Sequence, residues 1–187
     1  TNFARRAYRV IEQGGHKTLL ELGCGNGRDS IFFARKGLKV TAVDFSKSGL
    51  GELEALANKK RLTNIKTVEQ DISRLKFKPN SFDVIYAHLS LHYFDDKTTK
   101  NIFHNLHSIL KKGGLLFVKC KSTDDALFGQ GRKIGENMYL LRDHIRHFFS
   151  KEYMLSLLPE FDTVNVRKTA SIYFKYRSSF VEATAKK

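Results

Sequence analysis

The sequence predicts an α/β fold built on a mostly parallel sheet, and three observations carry that expectation. Short apolar runs alternate with stretches of helical spacing along most of the chain. A glycine-rich turn, Gly23-Cys24-Gly25-Asn26-Gly27, follows the first apolar run and precedes the first helical stretch. The next two runs close on carboxylates, Asp44 and Asp71, at the edge where open α/β sheets hold their ligands.

The elements follow in order. Residues 18–22 (TLLEL) form a short strand, and residues 28–37 a helix that Gly37 closes. A second strand covers residues 39–43, and Ser46 caps a helix reaching Arg61. Residues 65–68 and 82–87 supply strands three and four. Asp95 or Asp96 opens a helix with Ile102, Phe103, Leu106 and Ile109 on one face. Gly113–Gly114 breaks it, and residues 115–121 form a fifth strand. Residues 122–149, with three glycines among charges and aromatics, read as a long excursion covering a substrate. A helix near residues 150–158 and strands at 163–168 and 171–180 complete the chain.

Length and composition narrow the function classes. A chain of 187 residues with 41% hydrophobic content fits one domain, 1–187, with a core of its own. Two cysteines, Cys24 and Cys120, are too few for a disulfide framework or a zinc site. With no apolar run long enough to cross a membrane and no leader read before Thr1, the expectation is a cytoplasmic protein without a membrane partner. The missing initiator Met reads as a trimmed start. The formal charge of +14 is spread along the chain rather than gathered in a tail, and it favours anionic partners.

The glycine turn carries the chemistry. Its spacing is GxGxG, and Arg28 stands where a dinucleotide-binding loop has its last small residue. Glu21, two positions before Gly23, would repel a pyrophosphate and welcome an ammonium. Asp44 can accept hydrogen bonds from both hydroxyls of a ribose, and Asp71 from an adenine amino group. A ligand with an ammonium, a ribose and no phosphate is S-adenosylmethionine.

Five segments together resemble class I S-adenosylmethionine-dependent methyltransferases: residues 19–30 (LLELGCGNGRDS), 40–46 (VTAVDFS), 68–75 (VEQDISRL), 82–94 (FDVIYAHLSLHYF) and 110–122 (LKKGGLLFVKCKS). Residues 23–46 are similar to tellurite-resistance-type small-molecule methyltransferases. The resemblance implies a Rossmann-like three-layer α/β/α sandwich, its seven strands ordered 3-2-1-4-5-7-6 with the seventh antiparallel. It implies a cofactor site of Glu21, Gly23, Cys24, Gly25, Gly27, Asp44, Phe45, Asp71, Ile72 and His88, with residues 88–90 beside the sulfonium and S-adenosylhomocysteine as product.

Acceptor-side candidates follow the fourth strand. His92 and Tyr93 are candidates for catalysis, and His92 also for contacting the acceptor. Arg132, His144, Arg146 and His147 are candidates for a basic substrate wall, and Lys119, Lys121 and Lys133 are basic neighbours that could join it. The spacing of His144 and His147 suits one helical face, but no accompanying cysteine or HExxH pattern supports a metal, and none is expected. Methyl transfer from a sulfonium is an in-line displacement that rests on alignment, and it needs a base only when the nucleophile must shed a proton. The leading expectation is a small-molecule methyltransferase acting on an anionic or soft nucleophile. Residues 88–91 lack the Pro-Pro signature of amine-methylating nucleic acid enzymes, and neither cysteine follows a proline. RNA or protein methylation through the basic surface is the second reading, and a non-catalytic S-adenosylmethionine-binding protein the third. The oligomeric state stays open.

Overall fold

The computed structural model describes residues 1–173 and 176–187. The chain begins with α1 (Asn2–Gln13), then alternates β1 (Thr18–Leu22), α2 (Arg28–Arg35), β2 (Lys39–Asp44), α3 (Lys47–Lys59), β3 (Ile65–Glu69) and β4 (Phe82–His88). After α4 (Asp96–Ile109) come β5 (Leu110–Lys121) and three short strands, β6 (Arg132–Gly135), β7 (Met138–Leu141) and β8 (His144–His147). The chain closes with α5 (Lys151–Ser156), β9 (Thr163–Tyr173) and β10 (Tyr176–Lys186).

Seven strands form one sheet in the order β3-β2-β1-β4-β5-β10-β9. Neighbours from β3 to β5 pair in parallel, and β10 runs antiparallel to both β5 and β9. This is the expected order, with β9 and β10 as the sixth and seventh strands. Period-two alternation divides the strand side chains between two cores. Leu19, Val84, Tyr86 and Phe117 pack under α1, α2 and α3, whereas Leu20, Leu22, Ile85 and Leu116 pack under α4 and α5. The result is the expected α/β/α layering.

Capping follows the sequence signals. The Ser46 side chain accepts from the Gly49 amide at the start of α3, and Asp95 does the same for Thr98 at the start of α4.

Several boundaries differ from expectation, each for a physical reason. The expectation assigns no element to residues 2–13, where α1 buries Phe3, Ala4, Ala7 and Ile11 along one face. Gly113–Gly114 does not separate α4 from β5. The helix ends at Ile109, β5 starts at Leu110, and the register with β4 shifts around Val84 to absorb the glycines. The last two strands do not part at residues 169–170, since Thr169 pairs with Phe180 and Ser171 with Ser178. Of the expected strand 171–180, Phe174 and Lys175 lie outside the described residues.

The excursion at 122–149 is a small antiparallel flap of order β6-β7-β8. Phe128, Tyr139 and Phe148 meet edge-to-face inside it, with ring centroids 5.4 to 6.0 Å apart. It leaves and re-enters the domain at one place, where the Phe149 amide donates to the Lys121 carbonyl (2.9 Å) and the Thr123 amide to that of Phe149 (3.1 Å). His144 and His147 therefore sit on a strand and not on a helical face. Three residues apart, they point to opposite sides: His144 is exposed and His147 is buried.

At the amino edge of the sheet, Asp83 locks β1 to β4. It accepts from the Lys17 and Thr18 amides (3.0 and 2.8 Å), the Thr18 hydroxyl (2.8 Å) and the Lys111 ammonium (2.7 Å). Partial burial alone would raise its pKa, but the Lys111 ammonium and the Thr18 and Lys17 amides hold it far below the carboxylate range. A depressed carboxylate contributes stability above its unfolded pKa and loses it as pH falls. An Asp83→Asn protein is expected to be about 1–3 kcal/mol less stable at pH 7. That gap should narrow steadily as the pH is lowered from about 4. Urea titrations at pH 7 and pH 3 check this, and a gap equally wide at both would refute it.

Candidate active site

The site forms at the carboxyl ends of β1, β2 and β4. After Leu22 the chain turns sharply because the Gly23 and Cys24 amides both donate to the Val43 carbonyl, at 2.8 and 3.1 Å. Gly23 and Gly27 have φ of +69° and +78°. A Cβ at Gly23 would lie 2.4 Å from the Ser90 Cβ, and one at Gly27 2.2 Å from the Leu53 Cδ1. Both positions require glycine for backbone and for space. At Gly25, where φ is +54°, a Cβ would meet nothing within 4 Å, so the backbone conformation rather than packing favours glycine, and the face is open to a ligand.

Asp44 holds the loop in this shape. One carboxylate oxygen accepts from the Gly25 amide (2.7 Å) and the other from the Ser46 amide (2.8 Å). Each oxygen keeps a lone pair free for a ligand hydroxyl. Phe45 follows with its ring 81% exposed, a large apolar face open to stacking.

Beneath the loop lies a cavity of about 540 Å³ lined by Glu21, Gly23, Gly25, Arg28, Asp29 and His88. Glu21 is buried and accepts a hydrogen bond from the Ser30 hydroxyl. Burial pushes its pKa up to about 8, against the Ser30 hydrogen bond and with help from nearby Asp29 and Asp44. Asp29 is also buried, and its Oδ2 accepts from the hydroxyls of Tyr86 (2.8 Å) and Thr1 (2.9 Å). The other oxygen of Asp29 is paired with the Thr1 ammonium (2.7 Å), which leaves Glu21 as the carboxyl that a cationic ligand entering the cavity would ionise.

His88 closes the far side, its Nδ1 3.6 Å from Asp29 Oδ2. Burial draws its pKa down to about 4, outweighing Asp29, while Lys119 and Arg28 push the same way as burial. The ring is therefore neutral at pH 7. A second cavity, of about 520 Å³, shares His88 and Arg28 and opens between α1, β5, β9 and β10.

The other residues expected from the sequence fall in different places. Cys24 lines the first cavity, its thiol donating to the Gly25 carbonyl and pushed up in pKa by burial. Cys120 is wholly buried. Asp71 is exposed and caps the short 3-10 turn at residues 72–74, accepting from the Ser73 amide and hydroxyl (both 2.8 Å). Ile72 is buried beside the loop. His92 is buried with its Nδ1 unpartnered among the described residues, and burial, with Lys121 and Arg146 adding to it, draws its pKa down to about 3. Its ring lies 4.4 Å from that of half-exposed Tyr93.

Arg132, His144, Arg146 and His147 sit on the flap. The residues lining the cavity beyond His88 come instead from α1, α2, β4, β5, β9 and β10, and of the basic neighbours only Lys119 is among them. His147 packs on Tyr153 (4.8 Å) and Phe149 (5.0 Å). Among the described residues no group of three His, Cys, Asp or Glu side chains could hold a metal ion. Nor, among the described residues, is any helix long and apolar enough to cross a membrane.

Sequence reasoning missed Asp29, Arg28 and Tyr86. The visible signal for the first two was a charged pair directly after the glycine turn, in the first turn of a helix whose amino end faces the ligand edge. Tyr86 lies within an apolar run, and nothing local marks its hydroxyl as a site group.

Comparison with known proteins agrees with this geometry. A family model described as "Methyltransferase domain" matches residues 19–114. The chain is 31% identical over 108 residues to a probable S-adenosyl-L-methionine-dependent methyltransferase, TehB, of Haemophilus influenzae, covering 57% of this chain and 37% of that protein. The chain spans half or less of the length of the first curated relatives it matches. Among solved structures, a SAM-dependent methyltransferase from Methanosarcina mazei superposes with a TM-score of 0.80 at 22% identity, over 92% of each chain. The 1,6-didemethyltoxoflavin-N1-methyltransferase of Burkholderia thailandensis, solved with 1,6-didemethyltoxoflavin and S-adenosylhomocysteine bound, superposes with a TM-score of 0.75 at 23% identity, over 99% of this chain and 78% of that one.

Proposed function

We propose that this chain, which belongs to the class I S-adenosylmethionine-dependent methyltransferases, methylates a small-molecule acceptor at the junction of the two cavities around His88. One observation carries the reading: a glycine loop pinned by Asp44 over a cavity whose buried floor is the carboxyl pair Glu21 and Asp29. That arrangement accepts a cationic nucleoside without phosphates. S-adenosylmethionine supplies a methyl group already attached to a strong leaving group.

The chain's own residues do the binding and the alignment. Glu21 faces the ammonium, Asp44 the ribose hydroxyls, and Phe45 and Asp71 the adenine. Ile72 and Cys24 fill the space behind the loop. His88 borders both cavities, and its neutral ring can orient the acceptor or take a proton from it. Buried His92 and its neighbour Tyr93 support the segment that carries His88, and a proton-accepting role falls to the exposed edge of His88 rather than to them. Small acceptors suit a second cavity of about 520 Å³. The Burkholderia protein of the same fold holds the small molecule 1,6-didemethyltoxoflavin together with S-adenosylhomocysteine.

The test is turnover. Purified protein with S-adenosylmethionine and a panel of thiol, carboxylate, oxyanion and amine acceptors is expected to form S-adenosylhomocysteine in an acceptor-dependent way. Saturable S-adenosylmethionine binding with no turnover on any member of the panel would leave a binding protein and refute the catalytic reading. Absence of cofactor binding would refute the site itself.

A further inference from the structure

The second cavity has a composition the cofactor does not explain. Its wall carries three cations, Arg6 on α1, Lys119 on β5 and Arg167 on β9, gathered around one carboxylate, Glu182 on β10. Arg6 spans Glu182 with one nitrogen, at 2.7 and 2.8 Å from its two oxygens. Arg167 donates twice to Oε2 (3.1 and 2.9 Å), and Lys119 Nζ stands 3.2 Å from Oε1. Glu182 is only 3% exposed and Lys119 11%. Arg28 adds a fourth cation at the rim shared with the cofactor cavity.

A single buried carboxylate surrounded by three cations leaves a net excess of about two positive charges in a partly desolvated pocket. The cluster also has spare hydrogen-bonding capacity. The Nε of Arg6 is buried and has no partner among the described residues, and neither has the Thr169 hydroxyl, which lines the same cavity. Each guanidinium keeps donors that Glu182 does not use, since five N–H groups in a fork outnumber the bonds formed. Burial, opposed by Glu182 and reinforced by Arg6 and Arg167, draws the Lys119 ammonium below its ordinary range. Unsatisfied buried donors beside excess positive charge are what a bound oxyanion would complete.

We infer that the acceptor carries a carboxylate or phosphoryl group that docks on Arg6, Lys119 and Arg167, with its methyl-accepting atom directed toward His88. Glu182 fixes the three cations in place and prevents their mutual repulsion from opening the pocket. Its carboxylate also bars a second anion from sinking deeper. The inference rests on the proposed methyltransferase reading and specifies its substrate class.

The experiment uses the full chain loaded with S-adenosylhomocysteine and titrates benzoate, its neutral isostere benzamide, and inorganic phosphate by calorimetry. Saturable binding of benzoate or phosphate, at least tenfold tighter than benzamide, is expected, and the arm that binds tells carboxylate from phosphoryl. Arg167→Gln, at a half-exposed position, is expected to weaken that binding about tenfold, with S-adenosylhomocysteine affinity changed less than twofold. Arg167→Lys should recover part of the loss. Benzamide binding as tightly as benzoate, no saturable anion binding, or Arg167→Gln leaving anion affinity intact would overturn the inference. Failure of S-adenosylhomocysteine itself to bind would overturn the methyltransferase reading instead, so the two failures are distinguishable.

Discussion

An Asp44→Ala protein is expected to stay folded and lose at least about 100-fold in affinity for S-adenosylmethionine. Two losses combine. The first is direct: two charge-assisted hydrogen bonds to ribose hydroxyls, each worth about 1.5–3 kcal/mol when one partner is ionised. The second acts through the loop. The Gly25 and Ser46 amides both depend on Asp44, and without it the open backbone at Gly25 is no longer held against β2. Asp44→Asn separates the contributions. Its single amide oxygen can satisfy one of the two amides, and its NH₂ group faces the other. It should therefore bind with intermediate affinity. Calorimetry with S-adenosylmethionine, alongside thermal melts to establish folding, reads both variants. A folded Asp44→Ala protein with affinity within threefold of the parent would remove Asp44 from the site.

The parts of the site legible in the sequence are those whose signal is local. Glu21 is next to last in one apolar run and Asp44 ends the next, so their positions near the sheet edge follow from the run boundaries. Gly23 and Gly27 sit in a turn at φ of +69° and +78°, a conformation that favours glycine. The proposed acceptor side was not legible, because its groups meet only through tertiary structure. Arg6 and Glu182 are 176 residues apart. The basic residues that sequence reasoning drew together, from Arg132 to His147, are neighbours in a flap with its own aromatic core. The cations that line the cavity, Arg6, Arg28, Lys119 and Arg167, come from four separate elements. The flap's four-residue strands pair only with each other, and nothing in the main sheet's alternation announces them. Helix α1 is a different kind of miss. Phe3, Ala7 and Ile11 repeat at four-residue spacing, a visible signal that the expectation did not use.

Binding of S-adenosylmethionine at pH 7 is expected to release close to one proton, with Glu21 as its source. With a pKa near 8, Glu21 is mostly protonated in the free protein at neutral pH. An ammonium arriving in the same buried cavity favours the charged carboxylate, so binding and ionisation are linked. Affinity should then rise by up to about tenfold per pH unit between pH 6 and 7. It should level off near pH 8, where the ligand's own α-amino group starts to lose its charge. Folding stability carries the opposite sign. The native carboxyl keeps its proton to higher pH than the unfolded one, so its contribution to stability falls as pH rises from about 4.5 toward 8. Glu21→Gln removes the titration: it should bind S-adenosylmethionine weakly and without the pH slope, and it should gain stability relative to the parent at pH 8 compared with pH 5. Calorimetry at pH 7 in buffers of different ionisation enthalpy counts the proton directly. A binding heat independent of the buffer would show that Glu21 is already ionised in the free protein, and that its role is confined to holding Ser30.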